Sequence, residues 1–468
     1  MSDPTPIPMQ MPIKFSGYHK PKDRPIEELV SRVGPGTPAG EYLRRYWHPF
    51  ELSCELGKRP SVVRVLGEDL VLFRNLSGTP GLVHKHCSHR GMSLEFGIIA
   101  QDGIRCSYHG WLFANDGTVL ETPGEPAESP LRHKVCHGAY PVIEKEGVFF
   151  TYMGPPESTP AFPLIDAIVM PENTMKPYLI HSPCNWLQVT ENAMDPFHVA
   201  FLHTRVSGPQ FSEVFATLPI VDYHETERGF FYTNARRVGD FIWIRMHDFM
   251  MPNFSQNGAI FENVSKVRYF GRPGLTRWVT PVDDTHTMVI AWRHFNDRDD
   301  PMRMGRPQDN RGGKTDFYGQ SGEQSYEERQ DSPGDWDAWC SLGKIASHER
   351  ENPGMTDRGV AMLRRRIRRD INNLANGIEP LPLQPKDGPT IPTMGGDTIL
   401  RVPPTDQDDR ELILDLCRKV AAAYTETMHL PDGERRAAIT AKLVPLNTAD
   451  ATQVNPDHGK LFEFKAVA

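Results

Sequence analysis

The chain has 468 residues, with 52 lysines and arginines against 60 acidic residues and a formal net charge of −8. That length suits two or three domains with a sizeable core, and the acidic balance excludes nucleic acid as the main partner, because phosphate recognition needs a basic surface. Seven cysteines in so long a chain are not a disulfide framework, and no run reaches the roughly 18–20 apolar residues of a membrane span.

Met1–Gln10 shows neither a basic region nor an apolar stretch, so the expected location is cytoplasmic. Pro25–Val33 carries short helical apolar spacing. Gly34-Pro-Gly-Thr-Pro-Ala-Gly40 then predicts a turn before a helix over Glu41–Tyr46. It is not a dinucleotide loop, since no apolar strand precedes it and its prolines remove amides that would meet a phosphate.

From about residue 61 to 155 the pattern is β. Ser61–Leu66 and Leu70–Arg74 flank a turn at Gly67–Asp69, and Gly81–His86 and Gly103–Cys106 each end at a cysteine. Further hairpins are predicted at Trp111–Leu120 and Pro141–Tyr152, followed by a proline-rich linker to Pro171. Residues 185–204 read as helical. Strands over Phe230–Arg236, Phe241–Met246, Thr276–Val282 and His286–Trp292 predict an antiparallel sheet. Residues 296–334 read as a long loop and candidate lid, Trp336–Asn373 as helix, Pro380–Pro404 as linker, and Leu412–Tyr424 as an amphipathic helix.

Two segments stand out: Cys87-Ser-His89-Arg-Gly91 and Cys106-Ser-Tyr-His109-Gly-Trp111, separated by a gap of 16 residues between His89 and Cys106. Two cysteines and two histidines can hold one tetrahedral zinc. Here, however, each loop supplies one of each, which suits a [2Fe–2S] cluster with two thiolates on one iron and two imidazoles on the other. The pattern resembles the Rieske domain of a Rieske non-heme iron oxygenase. Cys54, Cys136, Cys184, Cys340 and Cys417 share no ligand spacing.

A second segment contains Asn192, Asp195, His198 and His203. Its D-x2-H-x4-H pattern resembles the mononuclear iron site of the same oxygenases, where two imidazoles and a carboxylate leave positions open for dioxygen. Five residues of regular α-helix turn through about 500°, so His198 and His203 converge only if the helix kinks, ends or contains a π turn. The resemblance implies that Asp195 couples His198 to a Rieske histidine, His109, of a neighbouring subunit, and that Asn192 lies close to the iron. Asp195 also reads as a helix cap ahead of Pro196. Pro333–Ile345 together with Gly354–Val360 resembles the C-terminal signature of the phthalate-dioxygenase type and picks Asp335 as third ligand, with Asp337 as its competitor.

The resemblance implies an α+β fold: a small all-β Rieske domain (45–155) and a larger helix-grip domain with an antiparallel sheet flanked by helices (156–380). Residues 1–44 form an N-terminal arm and 381–468 a C-terminal extension. It implies a terminal oxygenase carrying a [2Fe–2S] cluster and mononuclear Fe(II), with O2 as co-substrate. No flavin or nicotinamide fingerprint is present, so NAD(P)H would act through a separate flavin/iron–sulfur reductase, or a ferredoxin plus reductase. A homotrimer is implied by resemblance alone. The expected substrate is a small aromatic molecule, a carboxylate if Arg245 or Arg236-Arg237 clamps it, with Trp243 or Phe249 also facing the pocket. Oxidative O-demethylation is the alternative reaction, and a Rieske electron carrier or a zinc-stabilised binding protein the alternatives of other classes. The arginines between 364 and 369 read as a solvated helix face.

Overall fold

The computed structural model describes residues 14–20, 22–170, 173–206, 208–295, 320–384 and 390–458. Much of the expected lid, 296–319, lies outside the described residues. The fold is α+β: a small all-β region followed by a larger antiparallel sheet flanked by helices. No helix among the described residues is long and apolar enough to cross a membrane.

Between Trp47 and Tyr152 the chain forms three small antiparallel sheets. Ser61–Val65 and Glu68–Arg74 pair across a two-residue turn in which Leu66 and Gly67 both have positive φ. The turn sits one residue earlier than its sequence suggested, because this two-residue connection matches the right-handed twist of the strands. Val71, Phe73, Ile104, Trp111 and Phe113 form an apolar cluster that also contains Cys87 and Cys106. The two thiols are therefore embedded in the core while their histidines point outward.

The larger sheet has nine strands. Its path runs Thr174–Ser182, His286–Phe295, Leu275–Asp283, Phe254–Asn257, Phe241–Met250, Gly229–Val238 and Ile220–Glu225. Along the edge of Phe241–Met250, Phe254–Asn257 covers residues 248–250 and Gly396–Arg401 covers 241–246. The stretch Pro380–Pro404 is thus more than the linker expected of it: Asp397 to Leu400 are buried in a strand of the catalytic sheet. Proline density masked the short apolar run Thr398-Ile-Leu400.

Strand alternation gives the central strand two different faces. Ile242, Ile244 and Met246 pack on one side against Ile413, Leu416 and Val420 of the helix Asp409–Glu426 and Ile439 of the helix Asp432–Leu443. Arg245 and His247 point to the other side, into a cavity.

Trp336–Asn373 is not one helix but two, Asp335–Ser341 and Arg358–Ala375, interrupted around Gly343 and Pro353. In the second, Leu363, Ile367 and Ile371 recur every four residues and are buried. Its arginines are not the solvated face expected. Arg364 pairs with Glu191 and Glu351, Arg366 with Asp370, and Arg368 with Glu27; only Arg365 and Arg369 of this run are exposed.

Candidate metal centres and active site

Cys87 and His89 lie on a loop after the strand Pro80–His84, and Cys106 and His109 between the strands Gly103–Arg105 and Leu112–Ala114. Each loop closes on itself the same way. Gly91 N donates to Cys87 O (2.9 Å) and Gly110 N to Cys106 O (3.0 Å), while Cys87 N and Cys106 N donate to Met92 O and Trp111 O. Gly91 and Gly110 adopt φ of 76° and 75°, a left-handed conformation that a side chain would strain. The His89 and His109 ring centroids stand 4.6 Å apart, and His89 stacks on Trp111 at 4.7 Å. Burial raises the Cys87 thiol above its ordinary pKa; hydrogen bonds from the His89 and Arg90 N–H groups oppose this, and the adjacent Cys106 thiol reinforces it. Two adjacent thiols in the core, two adjacent imidazoles outward and backbone N–H groups aimed at sulfur fit a [2Fe–2S] cluster. Separate pairing of thiols and imidazoles fits it better than a single tetrahedral ion.

In the second segment the helix Trp186–Glu191, capped by Asn185, ends early and gives way to 3₁₀ turns at Asn192–Met194 and His198–Ala200. Phe201–Val206 then forms a π-helix. The extra residue per turn takes up the rotation that would separate His198 from His203 in a regular helix, and their ring centroids lie 5.2 Å apart. Asp335, at the start of its helix, completes the group: Oδ1 is 3.4 Å from His198 Nε2 and 3.2 Å from His203 Nε2. These three residues offer ligand atoms all within 4.8 Å of one another. Asp337 does not join them. It pairs with Arg329 and accepts from Gly334 N, closing the helix start.

The surroundings orient each member. Asn192 Nδ2 donates to Asp335 Oδ1 (3.0 Å) and lies 3.3 Å from His198 Nε2, while Arg277 donates to Asn192 Oδ1. His203 Nδ1 donates to Gln210 Oε1 at 2.8 Å, which leaves Nε2 as the ring nitrogen that faces Asp335. Asp195 Oδ2 is 3.5 Å from His198 Nδ1, and its Oδ1 accepts from Phe197 N. Burial would raise Asp335, but His203 and His198 outweigh it and hold the carboxyl well below its usual range. Burial likewise opposes protonation of His198, yet Asp195 and Asp335 raise it to about 10. In the metal-free protein, protons and iron therefore compete for the same imidazole.

Beyond this trio opens a cavity of about 80 Å³ walled by apolar groups such as Ile180, Phe211, Phe215, Ile260, Leu275 and Val289. Its polar members include Arg245, His247, Asn257, Arg277 and Gln320.

Residues 46–138 match the Rieske [2Fe-2S] domain family. The chain is 42% identical over 440 residues to the tert-butanol monooxygenase / tert-amyl alcohol desaturase oxygenase subunit of Aquincola tertiaricarbonis, spanning 90% of this chain and 93% of that one. The chain belongs to the Rieske non-heme iron oxygenases. The oxygenase is also 38% identical to the phenoxybenzoate dioxygenase subunit alpha of Ectopseudomonas oleovorans, over 78% of this chain and 89% of the relative. A crystal structure of dicamba monooxygenase bound to 3,6-dichlorosalicylic acid shares the fold, with a TM-score of 0.54 at 17% identity over 72% of this chain and 99% of the other. The enzyme is an oxidoreductase using a Rieske cluster, mononuclear iron and O2.

The structure brings Asn192, Asp195, His198, His203 and Asp335 into one neighbourhood, and Cys87, His89, Cys106 and His109 into another. Of the expected pocket residues, Arg245 lines the cavity, whereas Trp243 stacks beneath it on Phe215 and Phe249 lies in the main core. Arg236 is buried against Thr217 O and Asn234, and Arg237 pairs with Asp409 of the C-terminal helix, so neither is a clamp. His247, Asn257, Arg277 and Gln210 were missed. For His247 a signal existed: strand alternation places it two positions beyond Arg245. Gln210 had none, since it reaches His203 from an irregular segment.

Proposed function

We propose that this chain is a terminal oxygenase, fed by a separate reductase or ferredoxin, that inserts oxygen into a compact, mostly apolar substrate beside His198, His203 and Asp335. The observation that carries the reading is the convergence of these three side chains on the wall of a mostly apolar cavity. Cys87, His89, Cys106 and His109 would hold the cluster, and His198, His203 and Asp335 the iron. When bound, the two groups supply single-electron delivery and dioxygen activation.

The chain's own residues do the rest. Gln210 fixes the tautomer of His203, and Asn192 together with Arg277 steadies Asp335 from the cavity side. Asp195 stands between His198 Nδ1 and the surface and would bridge to His109 of a neighbouring subunit in a homotrimer. The apolar walls exclude water and leave the substrate's position to decide which carbon is attacked. The cavity is small, about 80 Å³, which favours a compact substrate over a biaryl. An aromatic acid is the expectation from sequence; the alcohols named for the Aquincola relative widen the class.

The test is oxygen uptake by the reconstituted holoenzyme with reductase and NADH. The panel is aromatic acids, aryl methyl ethers and tertiary alcohols, with products identified. Metal analysis with EPR should find one Rieske cluster and one further iron per chain. A cluster alone would make the protein an electron carrier, and zinc without a cluster signal a binding protein.

A further inference from the structure

We propose that the strand Phe241–Met250 recognises a hydroxyl group on the substrate, with the His247 imidazole as hydrogen-bond acceptor and the Arg245 guanidinium as donor. The inference rests on the oxygenase reading and names the polar group its substrate carries. Arg245 and His247 are alternate residues of one strand, share the cavity face, and are 3% and 7% exposed.

The ring's hydrogen bonding fixes its role. His247 Nδ1 faces Asn257 Oδ1 at 3.2 Å, an oxygen that only accepts, so the ring proton sits on Nδ1. Nε2 is left with a lone pair, buried and without a hydrogen-bond partner among the described residues. Burial, followed by the positive charges of Arg245, Arg236 and Arg277, keeps the imidazole neutral. Tyr232 stacks on the ring at 4.7 Å and holds its plane. A buried acceptor without a donor is a standing cost that a donating ligand removes.

Arg245 spends one of its two paired edges on the backbone. Its Nε donates to Ala259 O at 2.9 Å and its Nη2 to Gly258 O at 3.3 Å, which leaves the Nη1–Nη2 edge for a ligand. Nη1 has no such bond among the described residues. A carboxylate bridging from that edge to His247 would place negative oxygen against the Nε2 lone pair. A hydroxyl satisfies both neighbours at once, donating to His247 Nε2 and accepting from Arg245. The ligand class is a compact alcohol or phenol.

Anaerobic calorimetry on the holoenzyme tests this with tert-butanol and phenol against pivalate and benzoate, which place a carboxylate where the first two carry hydroxyl. The alcohol and phenol should bind at least about tenfold more tightly than their carboxylate counterparts, the worth of roughly one buried hydrogen bond. His247→Leu should weaken tert-butanol binding by about tenfold and leave toluene binding unchanged, with the cluster EPR signal and iron content reporting an intact fold. His247→Gln, which keeps an acceptor, should recover part of the loss. Tighter carboxylate binding, or unaltered alcohol affinity in His247→Leu, overturns the proposal. If His247→Leu does not fold, the wild-type preference and His247→Gln decide it. Mononuclear iron content is measured alongside; its absence from protein that carries the cluster would sink the oxygenase reading itself, whatever the calorimetry gives.

Discussion

The two candidate metal regions solve opposite problems. The cluster loops are short, glycine-closed and local, and they leave Tyr108 exposed and both imidazoles turned toward the surface. The candidate iron site draws His198 and His203 from a distorted helix and Asp335 from more than a hundred residues later, and it buries His203 almost completely. One region turns its imidazoles outward; the other closes around its own. Asp195, with its side chain 32% exposed, is the residue of the second region that reaches toward the outside. The difference teaches that electron entry and oxygen chemistry can sit in one chain while tolerating different kinds of change.

The sharpest way to break the comparison is to remove a ligand from one side only. His198→Ala should lower turnover to below about a thousandth and strip the mononuclear iron, while the cluster EPR signal stays intact. Simultaneous loss of that signal would mean the two regions fold as one unit. A smaller effect is expected from Asp195→Asn, which keeps the shape but removes the charge facing His198 Nδ1. Both metals should remain bound, and electron transfer from cluster to iron should slow by roughly 10–100-fold, as for other residues that orient a metal ligand. Unaltered single-turnover kinetics would remove the bridging role.

The same contrast explains what the sequence disclosed. Cys87, His89, Cys106 and His109 were legible because each loop carries its ligands within a few residues, and glycine marks the turn that closes it. His198 and His203 were legible as a pair, and their awkward spacing pointed to the π turn that the helix contains. Asp335 needed a resemblance, because a carboxylate delivered from a distant helix leaves no local spacing, and Asp337 offered the same chemistry two residues away. The strand Gly396–Arg401 escaped because prolines surround it. The ion-paired arginines of Arg358–Ala375 looked solvated because two of their carboxylate partners, Glu27 and Glu191, lie far away in the chain.

The smallest predicted effect concerns what braces the iron region alone. Asp248 leaves the pocket strand on the face opposite His247 and accepts from Met394 N at 2.8 Å, tying the C-terminal segment to the sheet. Burial raises its carboxyl to about 7; the Met394 N–H opposes the rise and Asp166 adds to it. A folded-state pKa above the unfolded value means that the native protein holds this proton more tightly. The group's contribution to stability is therefore complete at acidic pH, below the ordinary carboxyl range, and is lost as pH climbs through about 7. Arg435, which donates to Thr393 O and faces Asp166, offsets part of that loss. Among the described residues, the cluster loops contain no buried carboxylate with such a shift, so alkaline pH should loosen the C-terminal brace before it disturbs the cluster. Asp248→Asn keeps an acceptor for Met394 N but cannot ionise. Its Tm should match the wild type near pH 5 and exceed it by a few degrees near pH 8.5, on the order of 1 kcal/mol for a domain of this size. The cluster absorbance should titrate identically in both proteins. An equal Tm difference at both pH values would show that Asp248 is already ionised at pH 5, and the brace would then be an ordinary charged hydrogen bond with no pH dependence to distinguish one region from the other.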